Sequence, residues 1–399
     1  MSALERTEKD ALADIGYDAI RQGHVCSVIL SGGQGTRLGF HGPKGMYDFG
    51  LPSRKTIFQL HIERINKVYN LCKNLFKDVD IPNIPIYIMT SDLNHRTIQE
   101  YFKERNYFNY PKEDIFFFEQ GVEPCWTLDG KLIIESLDSL AFAPDGNGGV
   151  YRALETSGAL QDMTRRGVQH LHIYGIDNVL VKSIDPGFIG LSIRRQVECA
   201  NKVVWRASKS EKVGITVQRA DRMWVIEYSE TPSGLGEAED ASGQLIFGAA
   251  NICNHYMHIA FIRDKVLPAM STMYHKVIKK IPFWDFDKRA TVSPLEPNGV
   301  KLESFIFDVF PLASEWAVMS CDREDEFAPI KNEPGNPSDS PDTARNLISA
   351  QGQKWLRAVG ASVEGTGVCE ISPLLSYAGE GLESYAERVI SLPCYLEKL

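Results

Sequence analysis

The strongest indication of chemistry in the sequence is a glycine-rich stretch that carries two cations. It reads LSGGQGTRLG over Leu30–Gly39, and PKG follows at residues 43–45. Glycines at the end of a strand let backbone N–H groups converge on a polyphosphate, and Arg37 and Lys44 add positive charge there. The spacing fits neither the P-loop, which ends in GK[ST], nor the dinucleotide pattern GxGxxG. A plain structural turn is the alternative, and the two cations favour a phosphate-binding loop.

A second indication is Asp177, which ends the apolar segment HLHIYGID at residues 170–177. A carboxylate at the end of a buried strand can hold Mg²⁺, which usually takes only one or two protein carboxylates. The pair Asp177 and Asn178 could equally cap a helix. His170 and His172 alternate along the same segment, which favours packing over catalysis.

Composition restricts the kind of partner. The chain has 399 residues, 43% of them hydrophobic, so it can bury a large core. Its net charge is −9, from 43 basic and 52 acidic residues, which argues against a general nucleic-acid or membrane-surface binder. The eight cysteines are scattered without a CxxC pair, as expected in a reducing compartment. No run approaches the ~18 apolar residues that a membrane span requires, so we expect a cytoplasmic protein.

The elements that must position these residues alternate between strands and helices. Strands are predicted at residues 25–30, 84–91, 115–121 and 170–177, and an amphipathic helix from Thr56. Further helices are predicted near 150–166 and 186–200, with Ser91–Asn94 capping the helix after the second strand. This alternation predicts an α/β fold with a mixed, mostly parallel sheet covered on both faces.

The rest of the chain follows another pattern. Three antiparallel strands are predicted between residues 202 and 230, and a strand leading into a helix at 247–262. Residues 331–343, rich in Pro, Gly, Ser and Asp, are typical of a linker. We therefore predict three regions: a helical N-terminal arm at 1–23, a catalytic domain at 24–330, and a small C-terminal domain at 331–399.

Several long motifs together resemble a known family. LSGGQGTRLGFHGPKGMYDFGLPSRKTIFQL, FFFEQG, APDGNGGVYRAL, YGIDNVLVK, AANICNH and NGVKLESFIFDVF are similar to the eukaryotic UDP-N-acetylglucosamine pyrophosphorylases, within the UDP-sugar pyrophosphorylase family. The resemblance runs from about residue 25 to about residue 385. It implies a Rossmann-like nucleotide-diphospho-sugar transferase fold and a Mg²⁺-assisted uridylyl transfer.

The resemblance also implies roles for individual residues. On the nucleotide side it assigns Leu30, Gly32, Gly33, Lys44, Gln120, Gly146 and Lys301. On the sugar side it assigns Asn147, Glu227, Tyr228, Asn251, Phe305, Phe307 and Lys331. It makes Asp177 the metal ligand and gives catalytic charge stabilisation to Arg37, Lys44 and Lys331. Two alternatives stay open: Phe305 and Phe307 could be core residues of a strand, and Glu227 a solvated one.

The implied reactants are UTP and N-acetylglucosamine 1-phosphate, and the implied products are UDP-N-acetylglucosamine and pyrophosphate. Mg²⁺ is the expected cofactor, without a nucleic-acid or membrane partner, and the expected state is a monomer or weak homodimer. Three other hypotheses remain. The first is a pyrophosphorylase for another sugar 1-phosphate, that of N-acetylgalactosamine, glucose or galactose. The second is a non-catalytic nucleotide-sugar sensor, and the third is a glycosyltransferase on the same fold.

Overall fold

A nine-stranded mixed sheet forms the centre of the computed structural model, which describes residues 6–270 and 273–397. The first five residues of the predicted N-terminal arm and the last two of the predicted C-terminal domain lie outside the described residues. No helix within those two described ranges is long and apolar enough to cross a membrane.

The strands are β1 (Val25–Leu30), β2 (Ile86–Thr90), β3 (Ile115–Glu119), β4 (Val122–Pro124), β5 (Trp126–Thr127), β6 (Ile134–Ser136), β7 (Ser139–Leu140), β8 (Phe142–Pro144), β9 (His170–Gly175), β10 (Cys199–Trp205), β11 (Ile215–Arg219), β12 (Arg222–Ile226), β13 (Ala249–His258), β14 (His275–Lys279), β15 (Phe283–Asp285), β16 (Ala290–Val292), β17 (Gly299–Glu303), β18 (Trp316–Ser320), β19 (Ser362–Ile371) and β20 (Val389–Leu396). The helices are α1 (Arg6–Arg21), α2 (Ile57–Leu75), α3 (His95–Glu104), α4 (Val150–Thr156), α5 (Ala159–Arg165), α6 (Pro186–Arg194), α7 (Ile259–Phe261), α8 (Leu267–Ala269), α9 (Arg323–Glu326) and α10 (Pro341–Ala358).

The middle of the sheet is parallel, in the order β3–β2–β1–β9. Every residue of β1, β2 and β9 is buried, because helices cover both faces and the sequences are continuously apolar. β13 then pairs antiparallel with both β9 and β10, and β10 pairs parallel with β18. The four predicted strands of the parallel core are therefore confirmed.

Helices cover the sheet on both faces. α2 buries Phe58, Ile62 and Ile65 against one face, which confirms the amphipathic helix predicted from Thr56. α4, α5 and the segment 259–270 contribute to a second cluster, on the other side of the sheet. The two clusters hold β1 between them, since Ile29 belongs to one and Val28 to the other.

The N-terminal helix packs closely on the main body. α1 and α6 touch through two glycines, because a Cβ at Gly16 would lie 2.0 Å from the carbonyl oxygen of Pro186, and one at Gly190 would lie 1.8 Å from that of Leu12. Only glycine allows backbones this close. The described part of the predicted arm is therefore a helix integrated into the core, with Leu12 fully buried.

The helix predicted at 186–200 is shorter than expected. α6 ends at Arg194, and Gln196 has a φ of 54°, in the left-handed region that ends a helix. Cys199–Trp205 is instead the buried strand β10, which pairs with β13 and β18 and not with its neighbour β11. The helix prediction thus overlaps β10 only at residues 199 and 200, and the rest of β10 is the first of the three strands predicted between residues 202 and 230. That strand pairs antiparallel with β13 and parallel with β18.

Several elements were not predicted. Short hairpins lie between residues 122 and 144 and between 275 and 303, and β5, β14 and β17 form a small separate sheet. At the C-terminal end, α10 begins with a capping box of Ser340 and Thr343 and packs on the parallel pair β19–β20, with its own apolar cluster. The division of the chain into three regions stays a prediction.

A buried ion cluster joins the sheet to the segment before residue 331. The Nζ of Lys202, on β10, donates to Asp185 at 2.5 Å and to Glu326 at 2.6 Å, and Lys202 is fully buried. Lys182 lies 3.2 Å from the other oxygen of Glu326. Burial opposes ionisation, yet Lys202 and then Lys182 lower the pKa of Asp185 to about 2.

Removing the central cation should therefore destabilise the fold. Lys202→Met leaves two buried carboxylates without their main partner, so we expect a loss of about 3–5 kcal/mol in the free energy of unfolding at neutral pH. Because the folded pKa of Asp185 is depressed, the stabilisation is present above about pH 4 and is lost as the pH falls toward about 2. Urea unfolding as a function of pH measures both effects.

Lys209→Met is the matched control, since Lys209 pairs with Glu239 at the surface. Equal stability of the two variants would contradict a structural role for the cluster.

Candidate active site

A cavity of about 470 Å³ lies where the parallel strands end. The segments after β1, β3 and β9 all contribute to its wall, because parallel strands present their carboxyl ends at one edge of a sheet. Its lining residues are Leu30, Gly32, Gly33, Lys44, Met89, Gln120, Pro144, Asn147, Gly175, Ile176, Asp177, Asn178, Asn251, Ile252, Cys253, Phe327, Pro329 and Lys331.

The cavity brings together most of the residues assigned to phosphate and base binding. The predicted residues that line it are Leu30, Gly32, Gly33, Lys44, Gln120, Asn147, Asp177, Asn251 and Lys331. The predicted residues outside its lining are Arg37, Gly146, Glu227, Tyr228, Lys301, Phe305 and Phe307. The functional role of each of these residues stays a prediction.

The glycine-rich loop holds Lys44 at the cavity wall. The Lys44 backbone N–H donates to the carbonyl of Gly33 at 3.1 Å, which folds the loop back on itself. Gly45 packs against the ring of Phe58 on α2, where a Cβ would lie 2.4 Å from a ring carbon. Lys44 is half-buried, and among the described residues its ammonium group forms no ion pair within 4.0 Å. The cation is therefore held in place and available to an anion.

Gln120, just after β3, faces the same loop. Its Nε2 donates to the carbonyl of Gly146 at 2.9 Å. Its Oε1 lies so near Gly32 that a Cβ there would be 2.7 Å away. Gly146 has a φ of 87° and a Cβ on it would clash with the Ser304 carbonyl, so glycine is required for this approach. The amide is thus oriented with its oxygen toward the glycine-rich loop.

Asn94 is a residue that the sequence predictions placed differently. It occupies the N-cap of α3 but its side chain makes no capping hydrogen bond. Instead its Nδ2 donates to the Gly32 carbonyl at 3.1 Å, and its Oδ1 accepts from Gln34. Asn94 therefore fixes the glycine-rich loop, and the only signal in the sequence was its place after a predicted strand.

Asp177 and Lys331 approach the cavity from two adjoining segments. The Ile330 N–H donates to the Asp177 carbonyl at 2.9 Å, which places Lys331 beside it in space. Asn178 caps no helix, because the next helix along the chain begins only at Pro186. Its amide donates to the Glu326 carbonyl, and its oxygen accepts from the N–H groups of Leu180 and Ala328. This side-chain bridge ties the end of β9 to the segment that carries Lys331.

The donor set fits a divalent cation held partly by a substrate. Asp177 is half-buried, lines the cavity and is its only carboxylate-bearing lining residue. No group of three or more His, Cys, Asp or Glu side chains among the described residues is arranged to hold a metal ion. A hard cation such as Mg²⁺ suits a single carboxylate when phosphate oxygens and waters complete its shell.

β13 supplies the wall opposite the glycine-rich loop. Asn251 has a buried Oδ1 without a protein hydrogen-bond partner, although its backbone N–H is satisfied by the Gly214 carbonyl at 2.8 Å. Cys253 has a φ of 51°, in a region where the register of β13 shifts between its partners. A buried polar atom without a partner, beside a cavity, is suited to accept a hydrogen bond from a ligand.

Glu227 and Tyr228 lie beyond this wall. Burial raises the pKa of Glu227, while Lys331 and His275 oppose the shift, so its carboxylate lies within electrostatic reach of Lys331. Tyr228 is half exposed and lines a neighbouring cavity instead.

Phe305 and Phe307 form a stacked pair near the loop of Asn147. Their ring centroids are 5.2 Å apart, and Phe307 is buried in the core below the sheet. The Ile306 N–H donates to Asn147 Oδ1 at 3.0 Å, which ties this turn to the cavity wall. Phe307 therefore acts as a core residue in the structure, while Phe305 is half-buried.

Two predicted cations lie away from the cavity lining. Arg37 is exposed in the short turn Thr36–Leu38. Lys301 lies on β17, where it lowers the pKa of Cys125 against the larger effect of burial. The roles assigned to Arg37 and Lys301 stay predictions.

His170 and His172 are packed, as predicted. His170 contacts the Tyr256 hydroxyl at 2.7 Å, and His172 bonds Asn254 and the Ile184 N–H.

Asp145, in the motif PDGNGG, was missed by the sequence reasoning. Its carboxylate is buried against Gly121 and Gly149, and its Oδ1 has no hydrogen-bond partner. Burial raises its pKa to about 6, although the nearby Gln120 amide opposes the shift. A buried, incompletely paired carboxylate beside a binding cavity is typical of a site where stability is given up for function.

Asp145→Asn should therefore stabilise the protein at neutral pH. The folded pKa of Asp145 is above its unfolded value, so ionisation opposes folding, and stability falls as the pH rises from about 4 to about 6. We expect the variant to gain about 1–3 kcal/mol at pH ~7.5 and to lose this advantage near pH ~4. Thermal melts at the two pH values measure the difference, with the exposed Asp138→Asn as control. If Asp145→Asn were less stable than wild type at both pH values, the predicted cost of ionising Asp145 in the fold would be contradicted.

Comparison with known proteins agrees with this geometry. The family model described as UTP--glucose-1-phosphate uridylyltransferase matches residues 8–335. UDP-N-acetylglucosamine pyrophosphorylase of Saccharomyces cerevisiae is 42% identical over 380 residues, which cover 94% of this chain and 78% of the yeast protein. UDP-N-acetylhexosamine pyrophosphorylase-like protein 1 of Xenopus tropicalis is 41% identical over 418 residues, covering 99% and 80%.

A solved structure has the same fold over almost the whole chain. The uridine diphosphate N-acetylglucosamine pyrophosphorylase of Trypanosoma brucei superposes with a TM-score of 0.85 at 31% identity, covering 95% of this chain and 78% of that one. The Rossmann-like nucleotidyltransferase fold and the family resemblance expected from the motifs are thereby confirmed. The chain belongs to the UDP-sugar pyrophosphorylase family, in the group that contains the UDP-N-acetylglucosamine enzymes.

Proposed function

We propose that this protein is a uridylyltransferase that converts UTP and N-acetylglucosamine 1-phosphate into UDP-N-acetylglucosamine and pyrophosphate. One observation carries the proposal: the glycine-rich loop, Lys44, Gln120, Asp177 and Lys331 all line one cavity. The names of the relatives support the same reaction. We further propose that the protein works in the cytoplasm as a monomer or weak homodimer.

The reaction brings two anions together, so charge neutralisation is the main requirement. An oxygen of the sugar phosphate attacks the α-phosphorus of UTP, and pyrophosphate leaves from the opposite side. That oxygen is already anionic at neutral pH, so no general base is needed. Alignment and preorganised positive charge then account for most of the catalysis.

The side chains divide this work by position. Lys44, with the amides of Gly32 and Gly33, stabilises the charge that develops on the departing pyrophosphate. Lys331 orients the phosphate of the sugar. Arg37 and Lys301 are the cations that we assign to the outer end of the triphosphate and to the nucleotide.

Asp177 is the residue that we assign to hold Mg²⁺. When bound there, the ion would supply positive charge that neutralises the phosphates of the two substrates. The backbones that carry Asp177 and Lys331 are tied together by the Ile330 N–H, so both side chains start from adjoining points of the cavity wall.

The base and the sugar are recognised on opposite sides. Gln120 accepts from the N3–H of uracil through Oε1, since its Nε2 is already used by Gly146. We assign Asn147, Asn251 and Glu227 to the hexose, with Tyr228 reaching it from the neighbouring cavity. Phe305, backed by the buried Phe307, shapes the space for the acetamido methyl group.

The direct test is a pyrophosphate-release assay with UTP and a panel of sugar 1-phosphates. N-acetylglucosamine 1-phosphate should be preferred over glucose 1-phosphate by roughly 10–200-fold, the scale of one methyl-sized apolar contact. Preference for a galacto sugar or for glucose would overturn the substrate assignment. Absence of pyrophosphate release with every sugar would favour a non-catalytic sensor or a glycosyltransferase. Release of free UDP from added UDP-N-acetylglucosamine would then favour the glycosyltransferase.

Lys44→Ala should slow turnover by about 100- to 1,000-fold at saturating UTP, because one preorganised cation at the leaving group is lost. Steady-state kinetics measure the change, with the surface variant Lys209→Ala as control. Near wild-type turnover would remove Lys44 from the mechanism.

Gln120→Ala should weaken UTP binding by about 1–3 kcal/mol and narrow the difference between UTP and CTP. Cytosine has an acceptor at N3, which Oε1 of Gln120 repels, and the variant lacks that repulsion. The ratio of kcat/KM for the two nucleotides measures this, with the exposed Gln99→Ala as control. An unchanged ratio would count against Gln120 as the base reader.

A further inference from the structure

His275, at the start of β14, lies between two carboxylates. Its Nδ1 is 2.9 Å from Oε1 of Glu230, and its Nε2 is 3.0 Å from Oδ1 of Asp308. Asp308 is also the acceptor for the Phe305 N–H, at 2.7 Å. One imidazole thus links β14, the turn that follows β12, and the turn that follows β17.

This geometry favours a charged imidazole when both carboxylates are ionised. A neutral ring has one N–H donor, so one of its two nitrogens would face a carboxylate with a lone pair. Only the imidazolium donates to both Glu230 and Asp308. Burial disfavours the charged ring, but Asp308 and Glu230 outweigh it and raise the pKa of His275.

The elements that His275 joins are those that carry the sugar-side residues. Its ring lies 4.7 Å from the ring of Phe305, centroid to centroid. Glu230 closes the turn that begins at Glu227, through its backbone N–H to the Glu227 carbonyl at 2.9 Å. His275 therefore contacts the outer face of Phe305 and anchors the turn that holds Glu227 near Lys331.

We propose that His275 is a positioning residue for the sugar phosphate. It clamps the 227–230 turn to the 305–308 turn and so holds Glu227 and Phe305 against the hexose. The proposal rests on the function proposed above, in which these two side chains face the sugar. His275 does not line the cavity, and its hydrogen-bond partners Glu230 and Asp308 lie outside the glycine-rich loop. Its effect should therefore be confined to the sugar half of the site.

The clamp makes sugar binding depend on pH. The charged groups around His275 are all carboxylates. They belong to Glu230, Asp308, Glu227 and Glu303, and Glu303 lies opposite His275 on the neighbouring strand β17. As the pH rises through the raised pKa of His275, the ring loses its charge and one carboxylate loses its donor. Glu230, which is half exposed, is the partner that can turn to solvent, and its turn is then released.

The experiment measures KM for each substrate in turn on wild type and His275→Asn. At about pH 7, the variant should raise KM for N-acetylglucosamine 1-phosphate by about tenfold, the scale of lost hydrogen bonds to charged groups, with KM for UTP and kcat within about twofold. Between about pH 7 and about pH 9, where the sugar phosphate is fully ionised, KM for the sugar phosphate should rise in wild type and stay constant in the variant.

Glu230→Gln is the second variant, because a neutral ring can donate to Asp308 and accept from the new amide. Glu230→Gln should keep KM for the sugar phosphate within about threefold of the wild-type value at pH ~7, and this KM should no longer rise toward pH ~9. This variant removes only a half-exposed carboxylate, so it tests the clamp even if His275→Asn unfolds in a thermal melt. Glu239→Gln, on the same long loop, and His24→Asn, at the opposite end of β1, are the matched controls.

The outcomes separate the two proposals. If wild type releases no pyrophosphate from any sugar phosphate, the proposed function fails. If wild type is active but a folded His275→Asn leaves KM for the sugar phosphate unchanged, or raises both KM values equally, the clamp is refuted. A pH dependence that persists in Glu230→Gln would refute it as well.

Discussion

A single buried ammonium group holds together the segments behind the cavity. Lys202 lies on β10 and bonds both Asp185, which caps α6, and Glu326, which ends α9. From Glu326 the chain runs directly into the segment that ends at Lys331, and the Glu326 carbonyl accepts from Asn178 beside Asp177. The relative position of the segments that carry a cation and a carboxylate at the cavity thus depends on an ion cluster whose central ammonium group is fully buried. Breaking such a cluster strongly destabilises the fold, and the cluster tolerates rearrangement poorly.

The charge distribution explains how an acidic chain can bind anions. The net charge is −9, so the average field repels phosphate. Lys44 and Lys331 are half-buried, line the cavity, and have no ion pair within 4.0 Å among the described residues. Most other buried cations, such as Lys55 and Lys202, are neutralised by carboxylates. Two lysines that no described carboxylate neutralises therefore lie where a polyphosphate would bind.

The sequence predicted the sheet core well and the edges poorly, for physical reasons. β1, β2 and β9 are mostly apolar runs bounded by turn residues, and burial on both faces leaves such runs few alternatives. β3 is an aromatic run at the edge of the sheet. The carboxyl ends of these strands therefore predicted where Gly32, Gln120 and Asp177 would meet. The hairpins at 122–144 and 275–303 have strands of two to five residues that are partly exposed, so their sequences carry little periodic signal. His275 and Asp145 escaped notice because their importance comes from partners distant in the chain.

β13 gives the site a division between rigid and adaptable parts. This strand pairs with β9, which leads to Asp177, and it also carries Asn251 at the cavity wall. Asn251, which we assign to the sugar, and the strand that leads to Asp177 thus belong to one continuous hydrogen-bonded ladder, whereas the turns at 227–230 and 305–308 lie outside the sheet. If the sugar-side roles that we propose for these two turns hold, mutations in them change which sugar is accepted without disturbing the ladder. A family with this arrangement can diversify its acceptors while its uridylyl-transfer machinery stays the same.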